Sequence, residues 1–121
     1  MTTIRVFPSA DFFQVSSGEP IRSVVTESAE VVVVAWHIAP GQRIAAHVHP
    51  HGQDTWTILA GHGRYQLNAS GESQLVAKGD VVVAPTGAVH GVTNQGSEPL
   101  LIISVVAPSA AGYQLLPSAE D

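Results

Sequence analysis

The chain has 121 residues, enough for one domain that buries roughly two thirds of its unfolded surface and holds a core without covalent staples. It carries 5 Lys and Arg against 10 Asp and Glu, for a net charge of -5, which leaves no basic surface for a nucleic-acid backbone or an anionic membrane. With no cysteine, disulfides, thiolate metal sites and thiol nucleophiles are excluded together, so a bound metal must take nitrogen and oxygen ligands.

The N-terminal residues MTTIRVFPSADFF lack a basic segment followed by an apolar core, and no apolar run reaches a membrane span, so a soluble cytoplasmic protein is expected. Ile4 to Phe7 reads as a first strand ended by Pro8, Ile21 to Val25 as a second, and Val31 to Ile38 as a third that is buried on both faces. Pro40-Gly41 breaks that run. The segment carrying His47 and His49 follows as a strand, then Thr55 to Ala60, and Arg64 to Ala69 is expected to pair back on it as a hairpin across Gly61-His62-Gly63. Gln74 to Ala77, Val81 to Ala84, Val89 to Thr93 and Leu100 to Val106 complete the regular part, each bounded by Gly, Pro, Asn or Ser. Tyr113 to Leu116 reads as a last short strand and 117–121 as a frayed tail. No apolar stripe of helical period extends over ten residues, so no long helix is expected. About ten short strands with close turns predict a single all-β domain over 1–121, a sandwich or small barrel.

His47 and His49 are two residues apart, which in an extended strand puts both imidazoles on one face as a chelating pair. His90 lies downstream between apolar residues. An isolated pair of this kind is also what a polar strand edge looks like, and the surrounding spacing is what separates the two. Gly41, His47-x-His49, Asp54 and Gly61 are separated by five, four and six residues; Gly79, Pro85-x-Gly87, His90 and Asn94 are separated by five, two and three. The first frame resembles the cupin motif G-x5-H-x-H-x3,4-E-x6-G, with Asp54 where the family has Glu, and the second resembles G-x5-P-x-G-x2-H-x3-N without departure.

The resemblance, carried by 41–61 and 79–94, implies a double-stranded β-helix related to the jelly roll, with one metal in the barrel mouth and usually a homodimer. It places the ligands at His47, His49, Asp54 and His90, with Gln53 as the alternative fourth. Three imidazoles and an oxygen suit a divalent Zn, Fe, Ni, Mn or Co ion and leave positions open for a small-molecule substrate. Strand alternation puts Asp54 and Trp56 on one face and Gln53 and Thr55 on the other. His51, Trp56 and Arg43 are candidates for the pocket rim or wall, and Arg64 is a second candidate to hold a substrate carboxylate. His37 reads as a hydrogen-bonded core histidine and His62 as an exposed turn residue. The function expected is a small metalloenzyme, of dioxygenase or isomerase type, acting on a small organic acid or enol. The alternative is a non-catalytic barrel that binds a metal or small ligand, as a sensor does.

Overall fold

The computed structural model describes residues 3–117, and its regular structure is almost wholly strand. In chain order the strands are β1 Ser23–Glu27, β2 Val32–Ile38, β3 Arg43–Val48, β4 Gln53–Ala60, β5 His62–Gln66, β6 Ser73–Ala77, β7 Val81–Ala84, β8 His90–Thr93, β9 Leu100–Ala107 and β10 Gln114–Leu115. They form two five-stranded sheets ordered β1-β2-β9-β4-β7 and β10-β3-β8-β5-β6, with every pairing antiparallel. From β3 onward the chain passes repeatedly between the sheets, so residues distant in sequence become ladder neighbours, as in a double-stranded β-helix. Among the described residues no helix is long and apolar enough to cross a membrane.

Two expectations are corrected. Ile4 to Phe7 is not a strand: among the described residues it joins no ladder, Ile4 and Val6 are 71% and 82% exposed, and the chain then makes a single 3-10 turn at Ser9–Asp11. Alternating apolar residues favour an extended backbone, but a strand also needs a partner for its N–H and C=O groups, and none is offered there. Nor do β4 and β5 form a hairpin. β4 pairs with β7 and β9, while β5 pairs with β6 and β8, so Gly61 is a crossing between sheets rather than a hairpin tip. Gly61 has φ +78°, and a Cβ there would lie 2.4 Å from the Pro99 carbonyl oxygen, so only glycine permits this close passage. Of the expected tail, 118–121 lie outside the described residues.

The glycines and the asparagine that frame the two motifs are held by backbone hydrogen bonds to distant segments. Gly41 N–H donates to the Asn94 carbonyl and Asn94 N–H to that of Gln42, Gly79 N–H donates to Ile58, and Gly87 N–H donates to His49. The buried Asn94 side chain also donates to the Ile38 and Glu98 carbonyls and accepts from Gly96 N–H, which satisfies the backbone of the turn after β8. Ile38, Ile58, Leu100 and Ile102, with Trp56, Tyr65 and others, fill one end of the sandwich. A smaller cluster of Val32, Val34, Val106 and Ala111 lies towards the other end, and there the interior opens.

Candidate metal centre

At the open end one donor atom from each of His47, His49, Asp54 and His90 comes within 4.8 Å of the others. A β-bulge aims the first of them. Ile44 pairs with Val92 and His47 with His90, so Ala45 and Ala46 of β3 together face Gly91 alone on β8. The extra residue puts both Ile44 and His47 on the interior face. Gly91 is required there, because a Cβ would meet the Ile44 carbonyl oxygen at 2.8 Å and Ala46 backbone at 3.1 Å. His47 and His90 are thereby cross-strand neighbours with ring centroids 4.1 Å apart. His49 follows the end of β3, and Asp54 comes from β4 in the opposite sheet.

Each imidazole is oriented by its Nδ1–H. His47 donates to the Ala45 carbonyl at 2.7 Å, His49 to Gly112 at 2.7 Å and His90 to Ala88 at 3.1 Å. In the neutral tautomer so fixed, Nε2 carries a lone pair. Yet His90 Nε2 lies 3.0 Å and His49 Nε2 3.3 Å from the same carboxylate oxygen, Asp54 Oδ2. Lone pairs facing an anion repel unless a cation, proton or metal, lies among them. This donor set therefore fits a divalent ion: three imidazole nitrogens and one anionic oxygen, with tautomers already set.

Charge and burial agree with that chemistry. Burial, followed by the neighbouring charge of His90, pushes His47 down from 6.5 to about 4. The hydrogen bond to Asp54 raises His49 despite its partial burial. Burial opposes ionisation of Asp54, but hydrogen bonds from His49 and His90, made when Nε2 carries a proton, and from Ser104 outweigh it and hold the carboxyl well below the usual range.

A cavity of about 450 Å³ adjoins the cluster, within the range of small-molecule sites. His47, His49, Asp54 and Trp56 line it. Trp56 thus stands in the wall, its indole edge-on to Tyr65 and His90. Gln53 faces away, exposed, with its amide donating to Thr55. Arg43 and His51 do not line the cavity. Arg43 points outward at the start of β3, and His51 is exposed on the turn behind Ala111 and Gly112, where its backbone N–H donates to the Ala111 carbonyl. Arg64 also points outward and donates to Ser73. His37 is half-buried opposite Leu101, and its Nδ1 has no partner among the described residues, contrary to the expected hydrogen-bonded core histidine. His62 is exposed, as expected.

Three contributors escape the sequence reading. Ser104, buried on β9, donates to Asp54 Oδ1 at 2.6 Å; the only signal was a hydroxyl within the apolar run LLIISVVA. Tyr113 stands over His47 and His49 with ring centroids 5.0 and 6.0 Å away, and Arg22 lines the mouth. Both come from segments whose sequence shows no frame.

Two antiparallel sheets traversed alternately by one chain, with a histidine and carboxylate cluster at the open end, define a double-stranded β-helix with a candidate metal centre. The family model described as a cupin domain matches residues 34–106, and the chain belongs to the cupin family. The crystal structure of a conserved protein with a double-stranded beta-helix domain from Klebsiella pneumoniae superposes with a TM-score of 0.92 at 47% identity, over 96% of this chain and 100% of that one. A germin-like protein 5-1 of Oryza sativa is 34% identical over 87 residues, 68% of this chain and 38% of that protein. The mannose-1-phosphate guanylyltransferase ManC of Salmonella typhimurium is 32% identical over 68 residues, 56% of this chain. The match spans only 14% of ManC and well under half of the germin-like protein.

Proposed function

We propose that His47, His49, Asp54 and His90 hold one divalent transition-metal ion, and that the adjoining cavity presents a small organic acid or enol to it. The observation that carries this reading is the convergence of three Nε2 atoms and Asp54 Oδ2 beside a ligand-sized cavity, with every Nδ1 already engaged by a backbone carbonyl. Such an ion would polarise an oxygen of the bound acid or enol, chemistry that serves both dioxygenation and isomerisation. The protein's own contribution is orientation and exclusion of water. Ser104 fixes the Asp54 carboxylate, Gly112 and Ala45 fix the imidazoles of His49 and His47, and apolar side chains form much of the cavity wall.

A second reading, a binding or sensor barrel without turnover, is favoured by one observation. Apart from the donor residues, the ionisable side chains lining the cavity are Arg22 and Tyr113. The Arg22 guanidinium offers donors and no acceptor, and burial, together with the charge of Glu19, raises Tyr113. Neither is a ready general base, which disfavours isomerisation by direct proton abstraction. Elemental analysis of untagged protein tests the metal; absence of any transition metal and no uptake of Zn, Ni, Mn or Fe would overturn it. Oxygen consumption with candidate acids, and exchange of their α-protons with deuterium, separate dioxygenase, isomerase and binding protein. The homodimer that the resemblance implies belongs to the same proposal, and sedimentation of the full chain tests it.

A further inference from the structure

The cavity has two unlike sides. On one lie His47, His49 and Asp54; on the other, Val32, Val34, Val106 and Ala111 form a continuous apolar wall from β2, β9 and the segment before β10. That wall offers nothing to hydrogen-bond the hydroxyls of a sugar, whose burial there costs free energy. Arg22 is the one Lys or Arg lining the space. It lies just before β1 and lines the same cavity as His49. Among the described residues no carboxylate pairs with it.

We infer that the cavity takes a small monocarboxylate with an apolar body, its carboxylate paired with Arg22 beside His49 and its hydrocarbon part laid on the Val32, Val34, Val106 and Ala111 wall. This rests on the reading of the cavity as the ligand site and deepens it. Area burial makes the wall reward chain length, since each buried methylene adds about fourfold to affinity. A guanidinium distinguishes a carboxylate from its amide by charge and by the paired geometry of its donors.

The test uses the full chain with its metal content measured, and again after EDTA treatment. Trp36 and Trp56, the chain's two tryptophans, both line the cavity, so their fluorescence reports ligand entry whether or not metal is present. The probes are acetate, butyrate, hexanoate, hexanamide and oxalate. Affinity is expected to rise along the alkanoate series, with hexanoate tighter than oxalate, and Arg22→Gln to weaken hexanoate about tenfold or more while leaving hexanamide unchanged. Arg22 is exposed, so the variant keeps the fold. A flat alkanoate series, oxalate tighter than hexanoate, or an equal loss for acid and amide in Arg22→Gln overturns the inference. A rising series in protein that takes up no metal supports this ligand class and removes the metal proposal. Metal uptake with a flat series does the reverse.

Discussion

Asp54 holds the charge balance of the centre: one oxygen faces the imidazoles of His49 and His90, and the other accepts from Ser104. Replacing it with Asn keeps the shape and removes the anion. Loss of an outer partner of a ligand typically costs about 10–100-fold in metal affinity, so Asp54→Asn should cost at least the lower end of that range and Ser104→Ala should fall within it. Gln53→Ala, on the opposite face, should leave metal titration unchanged; the reverse ranking would mean that the amide completes the site. The same residues set the pH response of metal-free protein. Unfolded His47 takes a proton near 6.5 and folded His47 only near 4, so stability is lost as pH falls through that window, by at most about 3 kcal/mol if the full shift is expressed. His49 acts oppositely: its raised folded value stabilises fully below 6.5, and that contribution is lost as pH rises through it. Asp54 adds stability that persists above its ordinary 3.8 and fades only as pH falls below that. Urea midpoints of EDTA-treated protein at about pH 4.5, 6.5 and 8.5 should therefore peak at the middle value; a flat profile would mean these three groups are not coupled in solution.

The β3–β8 pair shows what one backbone irregularity contributes. Gly91→Ala puts a Cβ against the Ile44 carbonyl and Ala46, and relieving that contact must undo the bulge or push β3 away from β8. The expected cost is about 1–3 kcal/mol in urea denaturation, with weaker metal binding because His47 no longer sits opposite His90. Unchanged metal affinity would show that the bulge does not aim His47. Neither the bulge nor its glycine is legible in the sequence, where GAVHGV reads as ordinary strand with a small residue. What the sequence does carry is local. β2, β4, β6, β7, β8 and β9 fall within a residue or two of their expected spans, since alternation and turn residues act over a few positions. Partnership is not local, which is why Ile4 to Phe7 reads as a strand and lacks a ladder, and why Gly61 reads as a hairpin. Period two puts Asp54 and Trp56 on one face and Gln53 on the other, and the spacing to His49 and Gly61 favours the Asp54 face as the inward one. Ser104, Tyr113 and Arg22 reach the site only through tertiary placement, which no local pattern encodes.

At the scale of the molecule the centre joins the two sheets. His47 and His90 belong to β3 and β8 of one sheet, while Asp54 and its partner Ser104 belong to β4 and β9 of the other. His49 leads from β3 into the turn before β4 and is tied by its carbonyl to Gly87 and by its ring to Gly112. An ion held by these residues would link the sheets at the open end, where the small Val32, Val34, Val106 and Ala111 cluster contributes less packing than the larger cluster at the other end. Binding to the folded chain alone raises global stability by about 2.7 kcal/mol at a free concentration one hundred times Kd. For a domain of this size that is a rise in Tm on the order of 10 °C. Thermal unfolding with the bound metal, after EDTA treatment and after reloading should show that difference and its recovery. His90→Ala should abolish the shift upon loading, whatever the variant's own baseline stability. A metal that binds with Tm unchanged would bind folded and unfolded chains alike, as loose histidines do, and the four residues would not then act as one site across the sheets.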